Sequence, residues 1–307
     1  MLELTHLQKK LQSIVCLLCL MMSAAGYCET LKPESLSPET EPPPIALKQS
    51  PLQAIETEEA RFGPLVEQLD KDNQVLWLNA GEESFLALYR PASGASEQGA
   101  VLIVADDGQH PDWPGPLRHL RNSLPHHGWA TLSLALPYQA SKENKPQQKQ
   151  NPLPPLETSV QLTLRLQSAM THIQNLGLYN IVVIALGNGA PLAAMSLRDL
   201  PSDSYAGFIV LAPWSLNEQT QTAIAEAYTD LPAGVLEIVP VLWPETGLIE
   251  RKGLAEKKQH TNYSQVKLLG DIKHFRDSPQ LLPRIRGWLK RNAEAMQGQL
   301  QRPKDKK

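Results

Sequence analysis

The sequence predicts an α/β fold: a mostly parallel sheet with helices on both faces. Two observations carry this. Short apolar runs of strand type recur from Gln74 to Leu269, and stretches with helical spacing separate most of them. A third sets the scale: 307 residues at 42% hydrophobic content suffice for one large core plus appendages.

Taken in order, Gln74 to Ala80 and Ser84 to Tyr89 flank Gly81-Glu82-Glu83 and predict a hairpin. Ala100 to Ala105 is continuously apolar, as a parallel strand buried on both faces requires. Pro116 to Leu124 reads as a helix stopped by Pro125, and Gly128 to Leu136 returns to strand. Further strands are expected at Ile181 to Leu186, Gly207 to Ala212, Val235 to Leu242 and Gln265 to Leu269. Leu162, Leu166, Ala169, Met170 and Ile173 share one helical face, and Leu281, Ile285, Trp288 and Leu289 share another. Strands alternating with helices leave right-handed crossovers and a sheet covered on both sides as the simplest topology.

The ends read differently. Lys9 and Lys10 precede an apolar run from Leu11 to Met22 and then Ser23, Ala24, Ala25 and Gly26, so residues 1–26 are expected to be a secretory signal. The run of about a dozen residues is short of the roughly 20 that span a bilayer, so no stable membrane span is expected after cleavage. Residues 27–56 are rich in Pro, Glu, Ser and Thr and read as a disordered linker. The domain is expected over 57–295, with a polar, Pro-flanked, disordered excursion at about 138–155, and 296–307 as a polar basic tail. The expected location is periplasmic or secreted. All three cysteines, Cys16, Cys19 and Cys28, fall at or before the start of the linker, so neither a disulfide framework nor a cysteine nucleophile is available to the domain. A net charge of -3 gives no basic field for a nucleic-acid partner.

The informative stretch is Ile181 to Leu186 followed by Gly187-Asn188-Gly189-Ala190-Pro191. A buried strand running through small residues into a helix is the context of the G-x-S-x-G nucleophile elbow. Matching Gly187-Asn188-Gly189 to Gly-x-Ser puts Gly189 at the apex, a vacant nucleophile position. Glycine tolerates the positive φ expected there but carries no oxygen. In the same architecture the loop after the third strand supplies an oxyanion-hole amide, and the triad runs nucleophile, acid, histidine. Asp106, Asp107, Gly108, Gln109, His110 and Asp112 lie in that loop; Glu245 follows the strand that would precede the acid; His274 follows the last strand, where the base would sit. Each has a plainer reading as well. Glu245 between Pro244 and Thr246 suits a solvated turn, and His274 suits a partly exposed loop. Gly108, Pro111 and Pro114 suit loop shaping, with His110 or Asp112 capping backbone groups. No metal-ligand spacing and no cofactor motif is present.

The run from Asp106 to Gly115 after the Ala100 strand, then Leu117 to Leu120, then Gly128-Trp129 through Leu136-Pro137, resembles a bacterial family of unknown function distantly related to α/β-hydrolases. The resemblance extends to the Arg284 to Lys290 helix and covers about residues 57–293. It implies an α/β-hydrolase-like sheet, with a Gly-x-Gly elbow in place of Gly-x-Ser. Three functions then compete. One is a pseudoenzyme or non-classical hydrolase that binds an unknown small molecule or envelope partner through Asp107, Gly108, Gln109, His110, Asp112 and Asn188. Another is an active hydrolase in which His274 with Glu245, or with Asp106, Asp107 or Asp112, activates water. The last is a cell-envelope interaction module.

Overall fold

The computed structural model describes residues 57–94, 96–137, 156–212, 218–242, 245–269 and 279–300. The expected signal, linker and excursion lie outside the described residues. The described chain belongs to one compact unit from Ala54 onward. Its helices are α1 (Glu58–Val66), α2 (Pro116–Ser123), α3 (Leu156–Asn175), α4 (Gly189–Arg198), α5 (Glu218–Thr229), α6 (Glu245–Lys257) and α7 (Leu281–Leu300). The strands are β1 (Gln74–Ala80), β2 (Glu83–Arg90), β3 (Gly99–Val104), β4 (Trp129–Leu134), β5 (Ile181–Leu186), β6 (Gly207–Leu211), β7 (Gly234–Pro240) and β8 (Tyr263–Leu268).

The eight strands form one sheet in the order β1-β2-β4-β3-β5-β6-β7-β8. β2 pairs antiparallel with β1 and β4, and every pair from β4 across to β8 is parallel. The expected mostly parallel, helix-covered sheet is therefore what forms. The hairpin closes over Gly81 and Glu82, with Ala80 opposite Glu83. Register follows from the strand period of two. In β3, Ala100, Leu102 and Val104 face the core under α3, α4 and α5, whereas Val101, Ile103 and the following Ala105 face the core under α2 and α7. The helical stripes read from sequence seat there: Leu162, Leu166, Ala169, Met170 and Ile173 of α3 on one side, Leu281, Ile285, Trp288 and Leu289 of α7 on the other. Each leucine, isoleucine and methionine among them stabilises the fold by about 1.5–3 kcal/mol on burial.

Three elements were not evident from apolar spacing. α1 is capped by Thr57, whose side chain accepts from the Ala60 amide at 3.3 Å, and carries Glu58 and Glu59 in its first turn, where the helix dipole favours them. Its Phe62 covers Leu86 and Leu88 of β2. α5 and α6 pack against each other, and α6 packs against β8. Glu245, expected in a turn, is instead the first residue of α6. α7 continues to Leu300, so the stretch expected as tail from residue 296 begins as helix.

Candidate functional site

The carboxyl ends of parallel strands are where an α/β sheet leaves room for a ligand, because neighbouring crossovers diverge there. A pocket of about 230 Å³ opens at the ends of β3, β5 and β6, lined by Asp106, Gln109, Trp113, Leu186, Gly187 and Ala212 among others. A second cavity of about 430 Å³, lined by His127, Asn180, Arg286 and Lys290, lies toward the amino ends of β4 and β5.

The turn from β5 to α4 departs from the expectation in register. Gly187, the first residue after the strand, has φ +52°, in the left-handed region. Gly189, expected at the apex, instead opens α4 without a positive φ. The physical reason is the point at which the strand stops. β5 ends at Leu186, so the reversal falls on the next residue, and the motif becomes Ala185-Leu186-Gly187-Asn188-Gly189. Gly189 then takes the small-residue place after the apex: a Cβ on it would overlap the carbonyl oxygen of Ala105, so its bareness lets α4 approach β3. Pro191 sits in the first turn of α4, where its missing amide costs nothing.

A Cβ on Gly187 would overlap the Asp106 carboxylate. That carboxylate is fixed by main-chain donors. Its Oδ1 accepts the amide of Asp107 and the amide of Asn188, both at 2.7 Å, and the Gly189 amide also bonds to the group. In the hydrolase elbow, oxyanion donors come from the residue after the apex and from the loop after the third strand. Asn188 and Asp107 hold those two places here, and both aim at one oxygen of Asp106. Burial raises the Asp106 pKa above the ordinary carboxyl range, as does the neighbouring Asp107 charge, while the three amides pull it down; the net shift is upward. Among the described residues no lysine, arginine or histidine is paired with it.

The remaining loop residues divide. Asp107 is exposed, and Gly108 turns the loop at φ +75°. The Gln109 amide donates to the Asp106 carbonyl at 3.1 Å, while Gln109 Oε1 accepts from the Asp106 amide at 3.4 Å. His110 Nδ1 accepts the Asp112 amide at 3.2 Å, and its ring meets Trp113 edge-on at 5.0 Å. Burial lowers the His110 pKa, and Arg118 adds to this against the opposing pull of Asp112. Asp112 is not among the residues lining the pocket: it is buried and paired with Arg121 and, at 2.9 Å, with Arg118, so its charge is already balanced. The side chain of Glu245 and the whole of His274 lie outside the described residues. Among the described residues no group of three or more His, Cys, Asp or Glu is arranged to hold a metal. Ala212 is one pocket residue the sequence did not suggest. It follows β6 with φ +48°, a costly conformation for alanine, and nothing in its sequence context announces it.

Residues 13–291 match the family described as "Protein of unknown function (DUF3530)". The chain belongs to this family. No curated protein matches this DUF3530 member. Solved structures similar to it are α/β-hydrolases. One, from Klebsiella pneumoniae and assigned as a dienelactone hydrolase, is 12% identical with a TM-score of 0.53, covering 71% of this chain and 98% of that one. The esterase Pf2001 of Pyrococcus furiosus is 10% identical with a TM-score of 0.54, covering 72% of this chain and 93% of that one. The Thermus thermophilus protein TT1662 is 13% identical with a TM-score of 0.53, covering 72% and 98%. At these identities the likeness establishes the fold. Among the described residues no helix of the DUF3530 chain is long and apolar enough to cross a membrane.

Proposed function

We propose that the chain is an exported α/β-hydrolase-fold protein that has lost serine-nucleophile chemistry and binds an unknown small molecule or envelope partner through the pocket above Gly187. The observation that carries this reading is the state of the apex. Gly187 has no side-chain oxygen, and the Asp106 carboxylate lies in the space that a side chain there would enter. Acyl transfer through a covalent intermediate needs a nucleophile at that point and free amides opposite it to receive the oxyanion. Here the amides of Asp107 and Asn188 are already committed to Asp106. The enzymes of similar fold lend their architecture to this reading, and architecture does not fix reaction. Export rests on the basic, apolar and small-residue sequence of residues 1–26.

Serine-directed fluorophosphonates test the loss of chemistry. The purified protein is expected to stay unlabelled by intact-mass spectrometry. Gly187→Ser is expected to stay unlabelled too, because Asp106 holds the space the new side chain needs. Stoichiometric labelling of the wild-type chain, mapped to a serine at the pocket, overturns the reading.

A further inference from the structure

We infer that the pocket above Gly187 receives a small ligand bearing a cationic nitrogen on an apolar body, with the Asp106 carboxylate as the group that meets the charge. The inference rests on the reading of this site as a binding pocket without a serine nucleophile, and it specifies the ligand class.

The amide pair of a hydrolase elbow is arranged to accept negative charge from a substrate oxygen. In this chain a fixed carboxylate has taken the pair, with Oδ1 accepting both amides at 2.7 Å. A second anion entering the pocket finds those donors occupied and meets a like charge. The preference of the site is thereby reversed. Oδ2 is the carboxylate oxygen nearest the space above Gly187, and Asp106 and Gly187 line the same pocket. A partly buried carboxylate with no counter-ion among the described residues is costly, and Asp107, the charged neighbour that acts on it there, has the same sign. A cation from outside offsets that cost.

The walls set the rest of the ligand. Trp113, Pro114, Pro116, Leu117, Leu186 and Leu211 are apolar, and Gln109 adds an amide. Trp113 is 39% exposed and offers an indole to an approaching ammonium group. At about 230 Å³ the pocket is smaller than the roughly 300–1,000 Å³ of drug-sized sites, which suits one ring with a short arm.

The test compares benzylamine, benzyl alcohol and benzoate on the full chain by calorimetry, with the amide resonances of Gly187 and Asn188 followed by NMR. Benzylamine is expected to bind about tenfold or more tightly than benzyl alcohol, benzoate more weakly than either, and both amides to shift. Asp106→Asn is expected to abolish the preference for the amine, and Asp107→Asn to retain it. The three probes on the wild-type chain decide the matter even if a variant folds poorly. The inference is overturned by benzoate binding as tightly as benzylamine, by no amine binding at millimolar concentration, by an amine preference that survives Asp106→Asn, or by its loss in Asp107→Asn alone. Any of these, with the fluorophosphonate result unchanged, removes the ligand class and leaves the proposed loss of chemistry standing. A labelled serine removes the latter.

Discussion

At the residue scale, Asp106 is the centre of the site, and its protonation couples to stability. Its pKa is raised in the fold by burial first and by Asp107 next, so the unfolded chain loses the proton at lower pH than the native one. Below the ordinary carboxylate range both states are protonated and nothing is lost. As pH rises from there to the raised native value, the unfolded state ionises first and the native state loses stability, and above that value the loss is complete. Asp106→Asn removes this term. Its melting temperature relative to wild type is therefore expected to climb from mildly acidic pH toward neutrality and then level off; a difference independent of pH, measured by calorimetry, contradicts the assignment. The four residues that meet there stood in the sequence as parts of two motifs, Asp106 and Asp107 directly after a buried strand, Gly187 and Asn188 directly after another. Their convergence was not legible, because 82 residues separate Asn188 from the carboxylate it binds. The two-residue displacement of the apex has a similar cause. Two glycines flank Asn188, and only the end of β5 decides which of them reverses the chain.

At the element scale, α6 is instructive. Its buried side chains, after the buried Gly247, run Leu248, Arg251 and Ala255, so the middle of its inward stripe is a charge and the apolar period is broken. Arg251 is tolerated there because Glu237, fully buried in the middle of β7, pairs with its guanidinium and also accepts from Tyr263 Oη at 2.6 Å and Gln265 Nε2 at 3.1 Å. Neither residue makes sense alone. Arg251→Met is expected to lower unfolding free energy by about 3–5 kcal/mol, since it strands a buried carboxylate. The double replacement Glu237→Leu with Arg251→Met is expected to recover most of that loss. Chemical denaturation measures both, and a double variant as unstable as the single one contradicts the pairing argument. α3 also buries a charge, Arg165, which pairs with Glu58, but Leu162, Leu166, Ala169, Met170 and Ile173 still keep the helical period around it, as Leu281, Ile285, Trp288 and Leu289 do in α7, so those two helices were readable.

At the scale of the whole molecule, the sheet order brings β3 and β5 side by side, and that adjacency makes a site from two distant turns. The proposed export belongs to this scale as well. Expressed in a Gram-negative host with its own N-terminus, the protein is expected in the envelope fraction with residues 1–26 removed, read by intact mass; a full-length cytoplasmic product contradicts it. The sequence by itself determined the alternation of strand and helix, the two-faced core and the parts of the elbow, because burial imposes periods of two and 3.6 residues that survive in composition. The tertiary structure alone decided that Gly187 forms the apex, that Asp106 fills the amide pair beside it, and that Asp112 belongs to Arg121. Those outcomes depend on where strands end and which strands are neighbours, and hydrogen bonds across such distances leave no periodic trace along the chain.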